Sequence, residues 1–404
     1  MSAKSERSPK RAHTPNYILA MVVTTAVQAI GAMGHMTLPV IAAVAAADIG
    51  LSASLIGIYS GLIFVGCAAV SLPMAGLVPR IGVIRTSQGA LLCTTGGLAL
   101  IATGEPALLV LSALMVGAGY GPMTPSSSYL LAKTAPADRL SLVMSIKQTG
   151  VPIGYGLAGL ALPYLAQVAG WRGAALAAAG LGIALAIAIE PTRRQLDSIR
   201  GEGQSFRWQN VLRPLAMVLS SPGLRRMAIC SLSFSGIQIG VAAFLVIYLH
   251  KIVGIGLTEA GTVLAIANGA AIAGRILWGA VADRSSAKWV LIALSAGMVA
   301  GLVLLLTITK SWPFLAIAAV GVLIGTTVIS WNGVFLAETA RQSPDGKISE
   351  AMGGVMFLTF SGSVFGPPLL TGLLSLTGSY QAGFLALAAA AFLTGLMFLF
   401  DRSR

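Results

Sequence analysis

Residues 106–135 read PALLVLSALMVGAGYGPMTPSSSYLLAKTA, and the first charge among them is Lys133. A charge-free run of this length exceeds the roughly 20 residues that a helix needs to cross a bilayer. The segment therefore reads as a transmembrane helix, bent where Gly117, Gly119 and Gly121 precede Pro122 and Pro125. Hydroxyls at Ser126, Ser127 and Ser128 bond back to carbonyls of their own helix by default. The closing heptapeptide, Tyr129-Leu130-Leu131-Ala132-Lys133-Thr134-Ala135, returns 205 residues later as Val334-Phe335-Leu336-Ala337-Glu338-Thr339-Ala340. A second opening, Ile49-Gly50-Leu51-Ser52, returns 206 residues later as Ile255-Gly256-Leu257-Thr258. Near-equal offsets at equivalent places indicate a duplicated chain, the arrangement in which a carrier's site lies between two repeated bundles near the midplane.

Working outward, further charge-free runs occur at 12–47, 49–79, 86–104, 173–189, 227–249, 289–309 and 311–337. The run 351–400 is long enough for two crossings, with Thr377-Gly378-Ser379-Tyr380 as the turn between them. Two more spans, 139–164 and 258–280, each hold one cation, Lys147 and Arg275. The expectation is an all-α membrane protein of twelve transmembrane helices in two pseudo-symmetric six-helix bundles. Its parts are a disordered cytoplasmic tail at 1–15, an N-terminal bundle at 16–190, a cytoplasmic linker at 191–222 and a C-terminal bundle at 223–404. The first apolar run is too long for a signal-peptide core of about 7–15 residues, so Ala45-Ala46-Ala47 is not read as a cleavage site.

Composition agrees. Only 10% of the 404 residues are charged against 56% hydrophobic, and the mean hydropathy is +0.85, whereas soluble domains carry about 25% charged residues. The net charge of +13 sits in short clusters between apolar runs, with no basic-aromatic face for bases. It reads as a polybasic membrane surface and not as a nucleic-acid interface. With the N-terminus inside, twenty-one lysines and arginines fall on the cytoplasmic side and three, Arg172, Lys251 and Lys310, outside. The positive-inside rule thus places the chain in an inner membrane with both termini cytoplasmic. In the linker, Phe206, Trp208, Val211, Leu212 and Leu215 interleave with Arg207 and Arg213, which reads either as a helix lying on headgroups or as a flexible connection. Cys67, Cys93 and Cys230 lie in apolar stretches and supply neither a disulfide framework nor metal spacing.

The chain resembles the major facilitator superfamily along essentially its whole length. Gly279-Ala280-Val281-Ala282-Asp283-Arg284-Ser285-Ser286-Ala287-Lys288 is similar to that family's G-x-x-x-D-R-x-G-x-(K/R) loop, with Ser286 in place of the second glycine. The resemblance implies that Asp283 and Arg284 latch helix ends on the cytoplasmic side, with Gly279 at the contact. In the first half, Ala75-Gly76-Leu77-Val78-Pro79-Arg80-Ile81-Gly82 resembles a degenerate copy in which Pro79 replaces the aspartate, leaving Arg80 and Gly82 as remnants. Residues 150–156, GVPIGYG, distantly resemble the family's antiporter motif without fixing a direction. Aligned on Gly117, the span-four arginine of the family's drug antiporters is Ala113 here, which counts against drug efflux.

An isolated charge at a bilayer centre costs about 2.5–3.5 kcal/mol on insertion scales, so such residues are usually functional. Lys147 and Arg275 each lie about 12 Å from a cytoplasmic boundary at 1.5 Å per residue. Small residues share their stripes: Gly150, Gly154 and Ala158 with Lys147, and Ala271 and Gly279 with Arg275. No aspartate or glutamate lies deep in a span, so an anionic substrate is expected to supply the missing charge. The competing expectation is that Lys147 snorkels and Arg275 bonds helix-end carbonyls or Asp283. Gln28 and Gln238, at comparable depth in spans one and seven, and Asn268 and Asn332 are further substrate-contact candidates, with interhelical hydrogen bonding as the alternative. Tyr120 and Trp331 either wall the cavity or pack. His35, about 27 Å along its span at 1.5 Å per residue, is expected near the far face as a gate or interface residue.

The functional expectation is a monomeric secondary transporter working by alternating access, carrying a small organic anion (a carboxylate) with proton coupling or exchange. Proton-driven efflux of hydrophobic or cationic compounds and a non-transporting sensor or scaffold are the alternatives. No catalytic motif, phosphate loop, cofactor signature or metal set is present in the sequence.

Overall fold

The computed structural model describes residues 16–50, 54–199 and 208–401, and among these every long regular element is a helix. The expected tail at 1–15, and Phe206 and Arg207 of the linker, lie outside the described residues. In chain order the helices are α1 (Tyr17–Ile49), α2 (Ser54–Ile81), α3 (Val83–Thr103), α4 (Pro106–Thr134), α5 (Leu140–Gln148), α6 (Gly150–Ala188), α7 (Arg193–Leu196) and α8 (Arg213–Ser220). They continue with α9 (Pro222–Ile247), α10 (Leu257–Arg284), α11 (Ala287–Thr307), α12 (Phe314–Val328), α13 (Asn332–Arg341), α14 (Ile348–Thr377) and α15 (Tyr380–Leu399).

Among the described residues, ten stretches are long and apolar enough to span a membrane. One of them, Ala137–Leu196, has 60 residues and turns back at Gly170, where φ is 73°. That left-handed value suits glycine and few other residues, and the reversal makes two crossings of one stretch. α3 is less apolar, because its polar groups bond to α6: Thr95 donates to the Ala179 carbonyl and Gln88 to that of Ala186. The reversal and α3 are the two further candidates for a crossing among the described residues.

The duplication is visible in the packing. A methyl group at Gly117 would strike the Ile63 carbonyl of α2, and one at Gly325 would strike the Ala267 carbonyl of α10. Likewise Gly154 of α6 lies on the Ala29 carbonyl of α1, and Gly362 of α14 lies on the Leu232 carbonyl of α9. Each second-half glycine follows its counterpart by 208 residues. Glycine lets two backbones approach where lipid offers no hydrophobic drive to associate, so the same two seams are built twice.

The halves meet along two further seams, α5 against α10 and α13, and α2 against α14. Gly279 and Gly333 both face Ser145 of α5, and Gly353 faces Ser71 and Ala75 of α2. The described residues of the linker include α8. α8 packs on α14, with Val218 fully buried, and Arg213 approaches Glu350 at 4.0 Å, while Trp208 and Leu212 remain exposed.

Candidate functional site

Arg275 leaves α10 at the centre of the molecule and is 1% exposed. Its Nε and one terminal nitrogen donate to the Ile329 carbonyl at 3.2 and 2.9 Å, and the latter also reaches Asn332 Oδ1 at 3.4 Å. The other terminal nitrogen donates to the carbonyl of Gln148 in the opposite half. Sequence explains why these oxygens are available. The residue four after Gln148 is Pro152, which has no N–H to give it. Ile329 lies in the break between α12 and α13, where carbonyls lose their helical partners.

Lys147 is fully buried and donates to Gln28 Oε1 at 2.8 Å and to Gln148 Oε1 at 3.1 Å. It does not snorkel. Gln28 also accepts from Thr124 at 3.1 Å. The partners of both cations are neutral oxygens, and neither cation pairs with a carboxylate among the described residues.

Between the halves lies a cavity of about 80 Å³ whose lining includes Arg275, Gln148, Asn332, Gln238, Tyr120 and Tyr155. This is far below the roughly 300–1,000 Å³ of ligand pockets. Measured from the Asp283 end of the molecule, Arg275 lies 9 residues from Arg284, Asn332 lies 9 from Arg341 and Gln148 lies 8 from Leu140, whereas Phe64, Tyr155 and Gln238 lie 17, 15 and 16 residues from Ile81, Leu140 and Pro222. Phe64 of α2 stacks on Phe360 of α14, with centroids 6.5 Å apart. The space thus has a cationic floor and an aromatic collar.

Four of the expected contacts, Arg275, Gln238, Asn332 and Tyr120, line this cavity. Lys147 and Gln28 stand behind it as a second layer. Trp331 is behind Gln238, donating to its Oε1 at 2.9 Å. Asn268 turns back to the Leu264 carbonyl of its own helix at 3.0 Å and joins none of these groups. Gln148 was not foreseen, although a proline four residues on marks its carbonyl as orphaned.

His35 is placed differently from expectation. α1 runs on to Ile49, so the histidine is near the middle of its helix and not at an end. Its Nδ1 is 3.2 Å from the Tyr155 hydroxyl, and its ring packs on Phe64, Tyr120 and Tyr155. The repeat also reassigns its partner. Ala29 and Leu232 occupy equivalent places, so the counterpart of Gln238 is His35, whereas Gln28 matches Ser231.

The latch has its carboxylate where the motif implies and a different cation. Asp283 accepts from the backbone N–H groups of Ser141 and Leu142 at 2.9 and 2.8 Å, across the seam. A carboxylate at the N-terminus of α5 is favoured by both the free N–H groups and the helix dipole. The paired cation is Arg341 of α13, 2.9 Å from Asp283 and 2.9 Å from Ser141 Oγ, while Arg284 is exposed. In the first half the place of Asp283 is Pro79, and Ser349 donates to the Ala75 carbonyl at 2.7 Å. Arg80 is exposed. Gly82, with φ 93°, faces the Asp197 carboxylate, which accepts from Ile84 N at 2.8 Å. That glycine serves the approach of the linker, and the first-half seam closes without a carboxylate.

At the opposite end Asp48 accepts from Arg172 at 2.6 Å and Trp171 at 3.1 Å. The Arg172 hydrogen bond, then that of Trp171, holds the Asp48 carboxyl below its usual range.

Residues 21–343 match the family model of the Major Facilitator Superfamily. No curated protein matches the chain. Among solved structures it is similar to the human organic anion transporter MFSD10 (TETRAN), with TM-score 0.79 and 15% identity, covering 95% of this chain and 100% of that one. It is also similar to the E. coli fucose:proton symporter FucP, with TM-score 0.73, 13% identity and coverage of 96% and 100%. A bacterial homologue of the iron transporter ferroportin in an outward-facing state gives TM-score 0.73 at 11% identity, with coverage of 94% and 98%.

Proposed function

As the chain belongs to the major facilitator superfamily and is a multi-pass membrane transporter, we propose that it carries a small organic anion, a carboxylate, by alternating access with proton coupling. The observation that carries this reading is Arg275 on the floor of the cavity with Lys147 behind it, both buried and both bonded only to neutral oxygens. Carbonyl dipoles orient these charges without cancelling them, and a carboxylate would complete the balance through paired hydrogen bonds. The aromatic collar suits the apolar body of such a solute. One solved neighbour is described as an organic anion transporter, which agrees with this class at the level of fold alone.

The basic loops assign the latch end to the cytoplasm of a cell inner membrane, so the latched state is the one that would admit solute from outside. The carrier works as a monomer, since the cavity is completed within one chain. Efflux of cations is disfavoured by the same two charges, which would repel such cargo.

The test is uptake into proteoliposomes across a carboxylate panel, with and without an imposed pH gradient. Arg275→Gln is expected to lower carboxylate uptake at least tenfold. Unchanged uptake by that variant overturns the anion reading.

A further inference from the structure

His35 stands immediately behind the cavity wall. It is 2% exposed, and its Nδ1 meets the hydroxyl of Tyr155, a lining residue. Its Nε2 is buried with no hydrogen-bond partner. A packed imidazole normally has both nitrogens satisfied, and an unmet nitrogen is a recurring mark of a group that changes state. In the repeat, moreover, His35 holds the place of Gln238, which lines the cavity.

We propose that His35 is the proton-binding site that couples proton movement to the anion, an inference that rests on the anion reading above. The surroundings determine the sign of the coupling. From α6 and α4 the titratable groups facing it are Tyr155 and Tyr120, and α2 presents Phe64 with the thiol of Cys67 one turn away. α3 offers Thr94 beside Gly34, and the charged group of α5 is Lys147, held on Gln28 of the same helix as His35. Arg275 lies across the cavity. Buried among aromatic rings and with no carboxylate partner among the described residues, an imidazolium here is disfavoured while the cavity is empty. A bound anion removes that opposition, and by linkage a bound proton strengthens anion binding by the same factor.

The transfer conserves atoms and charge. With the neutral ring carrying its hydrogen on Nε2, a hydronium in the cavity gives a proton to Tyr155 Oη. Tyr155 passes its own hydroxyl proton to His35 Nδ1, water is left in the cavity, and the imidazole becomes imidazolium.

The experiment uses the purified full chain in lipid nanodiscs with benzoate and lactate as probes. Binding is measured from about pH 5.5 to about 8.5, the range in which histidine changes charge, together with proton uptake on anion addition. Wild type is expected to take up one proton per anion and to lose affinity toward a limiting tenfold per pH unit. In His35→Gln the affinity is flat with pH and the proton uptake is lost. Tyr155→Phe, which keeps the ring packing, takes up the proton more slowly and serves as the second measurement should His35→Gln fail to fold. Anion binding with the same proton uptake and pH slope in His35→Gln, or an unchanged uptake rate in Tyr155→Phe, overturns the inference alone. If neither probe binds wild type, the anion reading falls and this one with it.

Discussion

Arg275 of the second half donates to the backbone carbonyl of Gln148 in the first, so a single guanidinium ties the two bundles together at the floor of the cavity. The bond exists because Pro152 leaves that carbonyl without a helical donor. An incoming carboxylate would compete with this carbonyl and that of Ile329 for the same fork of N–H groups. On the proposed reading, substrate binding and the grip between the bundles are linked at one side chain.

Arg275→Lys tests that linkage. A lysine keeps the charge but has no planar fork to serve two carbonyls and a ligand. Hydrogen bonds to charged groups contribute about 1.5–3 kcal/mol each. The variant is expected to bind benzoate about tenfold or more weakly by titration calorimetry while retaining a folded elution profile.

The latch is asymmetric, and restoring symmetry should slow the cycle. Pro79→Asp would place a carboxylate where the second half has Asp283, beside the start of α14. Opening at the Asp283 end, read by spin-label distances between α2 and α14, should become rarer. Asp283→Asn should do the reverse on the α5–α10 seam. Loss of about 1.5–3 kcal/mol of charged hydrogen bonding corresponds to a roughly 10- to 100-fold shift toward the open end.

Gly154→Ala and Gly362→Ala should behave alike. Each forces a methyl group onto a carbonyl of the neighbouring helix, and overpacking of this kind costs about 1–3 kcal/mol. Both are expected to lower the melting temperature by several degrees in detergent, whereas Gly372→Ala, where a methyl group meets nothing, should leave it unchanged.

The outer Asp48 cluster sets an acid limit. Because hydrogen bonds from Arg172 and Trp171 lower the Asp48 carboxyl, its stabilising effect is complete above the unfolded carboxyl value of about 3.9. It is lost as pH falls through the lower folded value. Thermal scans should show wild type more stable than Asp48→Asn near neutrality, with the gap closing below about pH 4.

Much of this was legible in the residues themselves. Run length and absence of charge located the spans, the 205-residue echo of Tyr129–Ala135 gave the two halves, and burial of Lys147 and Arg275 followed from their depth. What escaped was set by contacts between distant segments. Arg341 looks like a loop-end cation until α13 packs beside Asp283, and Asp197 looks like linker until it meets Gly82 and Ile84 N. His35 was placed by distance along α1 alone, which carries no sign of the Tyr155 hydroxyl and the aromatic rings it meets. Gln148 carried a readable signal, a proline four residues downstream, that points to an orphaned carbonyl.

The account turns on negative charge being what the cavity selects. The direct measurement is calorimetric binding of benzoate and of its neutral isostere benzamide to one preparation of the purified protein. Benzoate should bind at least tenfold more tightly, with that preference abolished in Arg275→Gln. Equal binding of the two compounds, or a preference for benzoate that survives in Arg275→Gln, would contradict it.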